Sequence, residues 1–107
     1  MTTFDDREKG FERKFALDQE QEFRAVARRN RALGRWAGER MGLEGDHLDD
    51  YAKAVVKSDF EQPGDEDVLR KVYGDLKSAG DSASEADVRM KMDELLAQSR
   101  EQVRQGE

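Results

Sequence analysis

The chain has no cysteine, a single proline (Pro63), a single histidine (His47) and few aromatic residues. Without cysteine there is no disulfide framework, no thiolate metal site and no thiol nucleophile. One histidine rules out a histidine metal cluster and a multi-histidine pH switch. No apolar run approaches the roughly 18 residues of a membrane span, and no signal-peptide core is present in the sequence, so the cytoplasm is the expected compartment. Also missing are a glycine-rich phosphate loop, paired cleft carboxylates and a nucleophile with its base. No catalytic residue, cofactor or metal site is therefore expected, and the chain does not read as an enzyme.

Charge is what the sequence has in abundance. Charged residues make up 41% and hydrophobic residues 36%, a balance near the border between a highly charged helical fold and partial disorder. The net charge of −6 is unevenly spread. Residues 1–23 hold four basic and seven acidic groups (−3), residues 24–40 six basic and one acidic (+5), and residues 41–107 nine basic and seventeen acidic (−8). A local basic block on an acidic chain argues against a general nucleic-acid binder.

The periodicity is helical throughout, with no convincing strand. A first helix can start at Thr3 and run to a C′ glycine at Gly42, with Phe23, Val26, Ala27, Leu33, Ala37 and Met41 as its core stripe. Gly34 and Gly38 lie one turn apart within it and would let a neighbouring helix approach closely. A second helix is expected from an Asp46 cap, with Leu48, Tyr51, Ala52 and Val55 inside and the stripe continuing toward Phe60. Pro63-Gly64 breaks the chain, and Asp65 is expected to cap a third helix whose apolar face is Val68, Leu69, Val72, Tyr73 and Leu76. After Gly80, Ser84-Glu85-Ala86-Asp87 reads as a capping box opening a fourth helix with Val88, Met92, Leu95, Leu96 and Val103 inside. Short polar links between amphipathic helices predict an all-α four-helix bundle.

Length separates one segment from the rest. The last three helices would span about 22 to 30 Å at 1.5 Å per residue, whereas a first helix from Thr3 would approach about 60 Å. The overhang falls on residues 1–18, where Phe4, Phe11 and Phe15 share one helical face with no aliphatic residue between them. Gly10 lowers the helicity of that segment further. An isolated helix of this length is marginal in water, so the arm is expected to be frayed or disordered when free and helical when bound. In a straight helix the three rings would point roughly 80° away from the stripe that starts at Phe23. They would then need a partner of their own, or a fold back onto the bundle.

Two charged features have competing readings. Arg24, Arg28, Arg31 and Arg35 recur at spacings of four, three and four, forming a basic ridge that could pair with the acidic helices, grip an acidic protein surface or bind RNA phosphates. Trp36 points off the ridge, so no stacking aromatic interleaves it. The acidic clusters Asp46/Asp49/Asp50 and Asp65/Glu66/Asp67 lie at expected helix starts, where carboxylates cap amides and favour the positive dipole end. They lack calcium-loop spacing.

The opening Thr-Thr-Phe-Asp-Asp-Arg-Glu-Lys-Gly-Phe-Glu-Arg-Lys-Phe-Ala at 2–16 and Ala-Arg-Arg-Asn-Arg-Ala-Leu-Gly-Arg-Trp-Ala at 27–37 are followed by Met-Gly-Leu at 41–43 and Asp-Tyr-Ala-Lys-Ala-Val-Val at 50–56. Together they closely resemble the zeta subunit family of the alphaproteobacterial F-type ATP synthase, also catalogued as a domain of unknown function. The resemblance spans essentially the whole chain. It implies a natural inhibitor of ATP hydrolysis, monomeric when free and held at the inner membrane only through the enzyme. The N-terminal segment of such a protein enters a catalytic interface between alpha and beta subunits near the gamma subunit of the central stalk. It impedes the hydrolytic direction of rotation more than the synthetic one. Carried onto this chain, residues 1–18 are the inhibitory arm and residues 19–107 the anchoring domain. Phe4, Phe11 and Phe15 are then the groove anchors, with Arg7, Lys9, Arg13 and Lys14 setting register. The rival reading is a small RNA- or ribosome-associated module using the Arg24–Arg35 ridge.

Overall fold

The computed structural model describes residues 17–106, which form four α-helices in chain order: α1 (Gln19–Arg40), α2 (Gly45–Glu61), α3 (Asp65–Ser78) and α4 (Glu85–Arg104). No strand occurs among the described residues. The expected all-α four-helix bundle is the architecture formed. α1 is the longest helix and packs against both α2 and α4, while α3 closes the bundle between them. Leu33, Ala37, Val55, Val68, Leu69, Val72, Leu76, Ala83, Val88 and Met92 make one continuous core, with Trp36, Met41, Tyr51, Tyr73 and Leu95 against it.

Several helix ends are set by local chemistry visible in the sequence. Ser84 Oγ accepts from the Asp87 amide while the Asp87 carboxylate accepts from the Ser84 amide, so the expected capping box opens α4. α1 and α3 stop at glycines in the left-handed region, Gly42 (φ 83°) and Gly80 (φ 81°). After each, the two-bond closure of a Schellman motif forms: Gly42 N donates to Glu39 O and Leu43 N to Gly38 O, and Gly80 N to Lys77 O and Asp81 N to Leu76 O.

The other starts differ from expectation. α1 begins at Gln19, because Asp18 and Gln21 form a capping box of their own: the Gln21 amide donates to Asp18 Oδ1 at 2.7 Å, and the Asp18 amide to Gln21 Oε1 at 3.1 Å. Asp18 is extended (ψ 175°), so the helical path does not pass through it. A straight helix continuing through Asp18 is thereby excluded, and with it the 80° phase relation that assumed one. The expected start at Thr3 lies outside the described residues. α2 is preceded by an extended Glu44 with no side-chain cap, and Asp46 sits inside the first turn rather than capping it. At α3 the cap position is Gly64 (φ 132°), so Asp65 is the first helical residue. In both places the carboxylates still lie at the positive end of the helix.

The close approach of α1 and α2 explains the glycine pair. A Cβ on Gly34 would lie 2.7 Å from the Ala52 Cα and 3.2 Å from Val55 Cγ2, so the backbones touch there. A Cβ on Gly38 would meet Leu48 Cδ1, the end of a flexible side chain, at 2.5 Å.

The buried face of α1 matches the expected stripe in its second half, where Leu33 and Ala37 are buried and Met41 packs against the core, but departs from it at the start of the helix. Ala25, Arg29, Leu33 and Ala37, four residues apart, line the interior together with Asn30. Phe23 is 56% exposed and Phe60, the expected end of the α2 stripe, 58% exposed. The periodicity was misphased at the start of α1 because an arginine stands where the core needs a residue. Arg29 is only 1% exposed; its Nε donates to Asn30 Oδ1 at 2.9 Å and a terminal nitrogen to Asp65 Oδ1 at 2.7 Å. Asn30 Nδ2 donates to Asp59 Oδ2 at 3.0 Å, and Asp59 Oδ1 accepts from the Gly64 amide at 3.2 Å. This chain of bonds ties the α2–α3 corner to α1, and no buried side-chain nitrogen or oxygen among the described residues lacks a partner.

Candidate partner-binding surface

Displacement of Phe23 and Phe60 from the core leaves an apolar depression between α1 and α2. Their rings meet at a centroid distance of 5.5 Å and a tilt of 48°, one on α1 and one on α2. Between the two helices a cavity of about 210 Å³ is walled by Phe23, Val26, Ala27, Val56, Phe60 and Pro63, with Asn30 and Asp59 at its polar edge. A cavity of about 150 Å³ can hold a benzene ring, so there is room here for an aromatic side chain. Past Phe60 the depression continues as a second lobe of about 350 Å³, bordered by Arg31, Lys53 and Lys57. The groove is thus apolar near the start of α1 and cationic at its far end. The Arg29–Asn30–Asp59 network fixes its floor, since it locks the end of α2 against α1.

The basic ridge is not one uniform strip. Arg24 pairs with Glu20 at 3.0 Å one turn earlier on α1. Arg28 donates to Gln102 on α4 at 3.1 Å, and Arg35 pairs with Asp49 on α2 at 2.6 Å. Arg31 stands at the groove rim with Lys53 and Lys57. Two further arginines, outside the ridge, join helices: Arg100 grips Glu22 on α1 with three hydrogen bonds, and Arg89 meets Glu66 on α3 at 2.9 Å. Trp36, half-buried, is flanked by the cations of Arg40 and Lys91, at 5.4 and 6.0 Å from its ring. Phe4, Arg7, Lys9, Phe11, Arg13, Lys14 and Phe15 lie outside the described residues.

The ionisable groups follow their hydrogen bonds. Burial pushes the Tyr51 hydroxyl far above its usual pKa, aided by the Asp75 carboxylate to which it donates at 2.8 Å. Asp81 is held below the ordinary carboxylate range by the Ala83 amide and then by Arg40, and Asp87 by the Ser84 amide and hydroxyl. Glu66 is lowered by its bond to Arg89. Each of these groups serves a cap or a helix–helix tie. Among the described residues no cluster of three histidine or acidic side chains could hold a metal ion, and no helix is long and apolar enough to cross a membrane.

Sequence reasoning did not find the groove. Its signal was present as Phe23, Val26, Ala27 and Asn30, a stripe running beside the buried Ala25–Arg29–Leu33–Ala37 row. The two rows merge into one apolar face when Arg29 is assumed to be solvated.

Comparison with known proteins agrees with this architecture. A solved solution NMR structure, 44% identical, superimposes with a TM-score of 0.68 over 80% of this chain and 98% of its own length. A search of curated proteins found no match. The family model described as ATPase inhibitor subunit zeta matches residues 1–102, from the first residue of the opening segment almost to the end of α4. The chain belongs to the ATPase inhibitor subunit zeta family.

Proposed function

We propose that this chain inhibits ATP hydrolysis by the F-type ATP synthase by inserting residues 1–18 at a catalytic interface between alpha and beta subunits, near the gamma subunit. The bundle formed by residues 19–107 acts as the anchor on the outside of the enzyme, and this is what holds the chain at the inner membrane. The observation that carries the reading is the closed capping box at Asp18. The core of the described residues runs continuously through the four helices, and the three phenylalanines of residues 1–18 lie ahead of this cap, which supports an arm that serves a partner. In the bound state Phe4, Phe11 and Phe15 supply the apolar anchors, and Arg7, Lys9, Arg13 and Lys14 steer entry and set register. Covalent linkage to a docked bundle makes arm insertion nearly intramolecular, with an effective concentration reaching roughly the millimolar range. That gain offsets the several kcal/mol that ordering a free segment costs.

The RNA reading gains no specific support. Arg24, Arg28 and Arg35 are engaged by side chains of the bundle itself.

The test removes residues 1–16 and leaves the Asp18 cap in place. Inhibition of ATP hydrolysis is expected to disappear while helical circular dichroism and melting temperature stay near those of the full chain. Full inhibition by the truncated chain would refute the arm model. Phe11→Asp is expected to weaken inhibition in the same way without unfolding the bundle.

A further inference from the structure

We propose that the α1–α2 groove is the face by which the bundle docks, and that its occupant is an acidic amphipathic helix on the outside of the ATP synthase. A large apolar side chain of that helix fills the Phe23–Phe60 cavity, and its carboxylates meet the rim formed by Arg31, Lys53 and Lys57. The inference rests on the inhibitory reading and adds to it the gripping face of the anchor and the chemistry of what it grips.

Unused charge is the first argument. The chain has a net charge of −6, yet the second lobe of the groove is bordered by three cations and no carboxylate. Elsewhere the bundle spends its arginines on its own acids, as in Arg24–Glu20, Arg35–Asp49, Arg40–Asp81 and Arg100–Glu22. Arg31 and Lys53 are exposed and pair with no carboxylate among the described residues. Lys57 has the exposed Glu61 at 3.8 Å, a contact that contributes little. Asp59, at the apolar lobe, is already committed to Asn30 and the Gly64 amide. What complements this rim is an acidic segment from outside the bundle.

Shape and position give the second. The cavity between the exposed rings of Phe23 and Phe60, about 210 Å³, has room for one aromatic or leucine side chain. Arg31 lies eight residues beyond Phe23 on α1, about 12 Å along the axis, and Lys53 seven residues before Phe60 on α2, about 10 Å. A bound helix covers that distance in about two turns, so its apolar anchor and its carboxylates stand about seven residues apart on one face, the spacing of helix-in-groove recognition. Phe23 is also only four residues into α1, about 6 Å along its axis, so an enzyme that holds residues 1–18 meets this end of the bundle first. Docking here keeps the tether between arm and anchor short, which is what raises the effective concentration of the arm.

The absence of cysteine makes the test direct. The full-length chain carries a fluorescent dye on Ser82→Cys, an exposed position beside the Arg40–Asp81 pair at the far end of α1, and is titrated with the catalytic sector of the ATP synthase freed of its own copy of the chain. Lys53→Glu combined with Lys57→Glu is expected to weaken binding, read by anisotropy, by about tenfold or more, and Phe60→Ser likewise. Lys77→Glu, an exposed lysine on α3 that pairs with no carboxylate among the described residues, is the control and is expected to bind as the parent does. All these side chains are exposed, so helical circular dichroism is expected to stay unchanged. Added salt is expected to weaken the parent more than the charge-reversed chain. Groove variants that bind as tightly as the parent would overturn the inference, as would an equal loss in Lys77→Glu, which would mark a diffuse field rather than a docked segment. Benzophenone on Lys57→Cys is expected to cross-link an enzyme peptide rich in carboxylates; a second copy of this chain, or a peptide without carboxylates, would overturn the inference too. A parent that binds through the groove and leaves ATP hydrolysis untouched would instead refute the inhibitory reading alone.

Discussion

Asp65→Ala is expected to destabilise the bundle more than Arg29→Met, although the two residues form one ion pair at 2.7 Å. The asymmetry lies in exposure. The Arg29 side chain is 1% exposed and that of Asp65 62% exposed. Removing the carboxylate leaves a guanidinium inside the bundle with Asn30 Oδ1 as its remaining acceptor among the described residues. An uncompensated buried charge costs about 3–5 kcal/mol. Because the vacated position opens to solvent, water can take over one acceptor role, and a value at or just below that range, about 2–3 kcal/mol, is expected. Removing the guanidinium instead leaves Asp65 in water, where a carboxylate is at ease. Methionine fills much of the stem volume, Asn30 keeps its bond to Asp59, and the loss is about 1 kcal/mol. Asp65 also sits in the first turn of α3 and interacts with its dipole, a contribution of about 0.3–1 kcal/mol. Asp67→Ala, in the same turn, measures that part separately. Urea denaturation with a common m-value is the assay, and 2–3 kcal/mol corresponds to a fall in melting temperature of about 10–20 °C for a domain of this size. The reasoning is refuted if Asp65→Ala costs no more than Asp67→Ala, or if Arg29→Met is the more damaging change.

Gly34→Ala is expected to destabilise by about 1–2 kcal/mol despite the better helix former, because its Cβ presses on the Ala52 backbone; Gly38→Ala meets only the end of Leu48 and is expected to lie within about 1 kcal/mol of the parent in the same urea titration. Acid is expected to weaken the fold through Asp81, Asp87 and Glu66. Their folded pKa values lie below the unfolded ones, so their contribution is complete above the ordinary carboxylate range, near pH 4, and is lost as pH falls through the lowered folded values. Ser84→Ala is expected to shrink the part of that acid dependence carried by Asp87, read as a flatter plot of melting temperature against pH below about 4.

How much of the fold was legible depended on whether a signal was local. Ser84-x-x-Asp87 and the stop glycines Gly42 and Gly80 act on neighbouring amides and carbonyls, and each was readable from a few residues. The valine and leucine rows of α3 and α4 were readable because no charged residue interrupts their buried faces. Asp18 was not read as a cap, since the helical pattern continues across it and only the reciprocal bond with Gln21 shows that the backbone turns there. Arg29 failed for a different reason. Its burial depends on Asp65, 36 positions away, which no periodicity can report.

The same error hid the groove. Once Arg29 and Asn30 are inside, α1 has rotated so that Phe23 and Val26 face the gap beside α2 instead of the core. A buried arginine therefore does two things: it ties the α2–α3 corner to α1, and it turns aromatic surface outward next to the point where the N-terminal segment joins. Replacing the network with well-packed apolar residues is often neutral or favourable for stability. Its retention in this chain makes sense if what matters is the helix phase it sets. The bundle then presents, among its described residues, a continuous core and beside it an exposed apolar groove between α1 and α2.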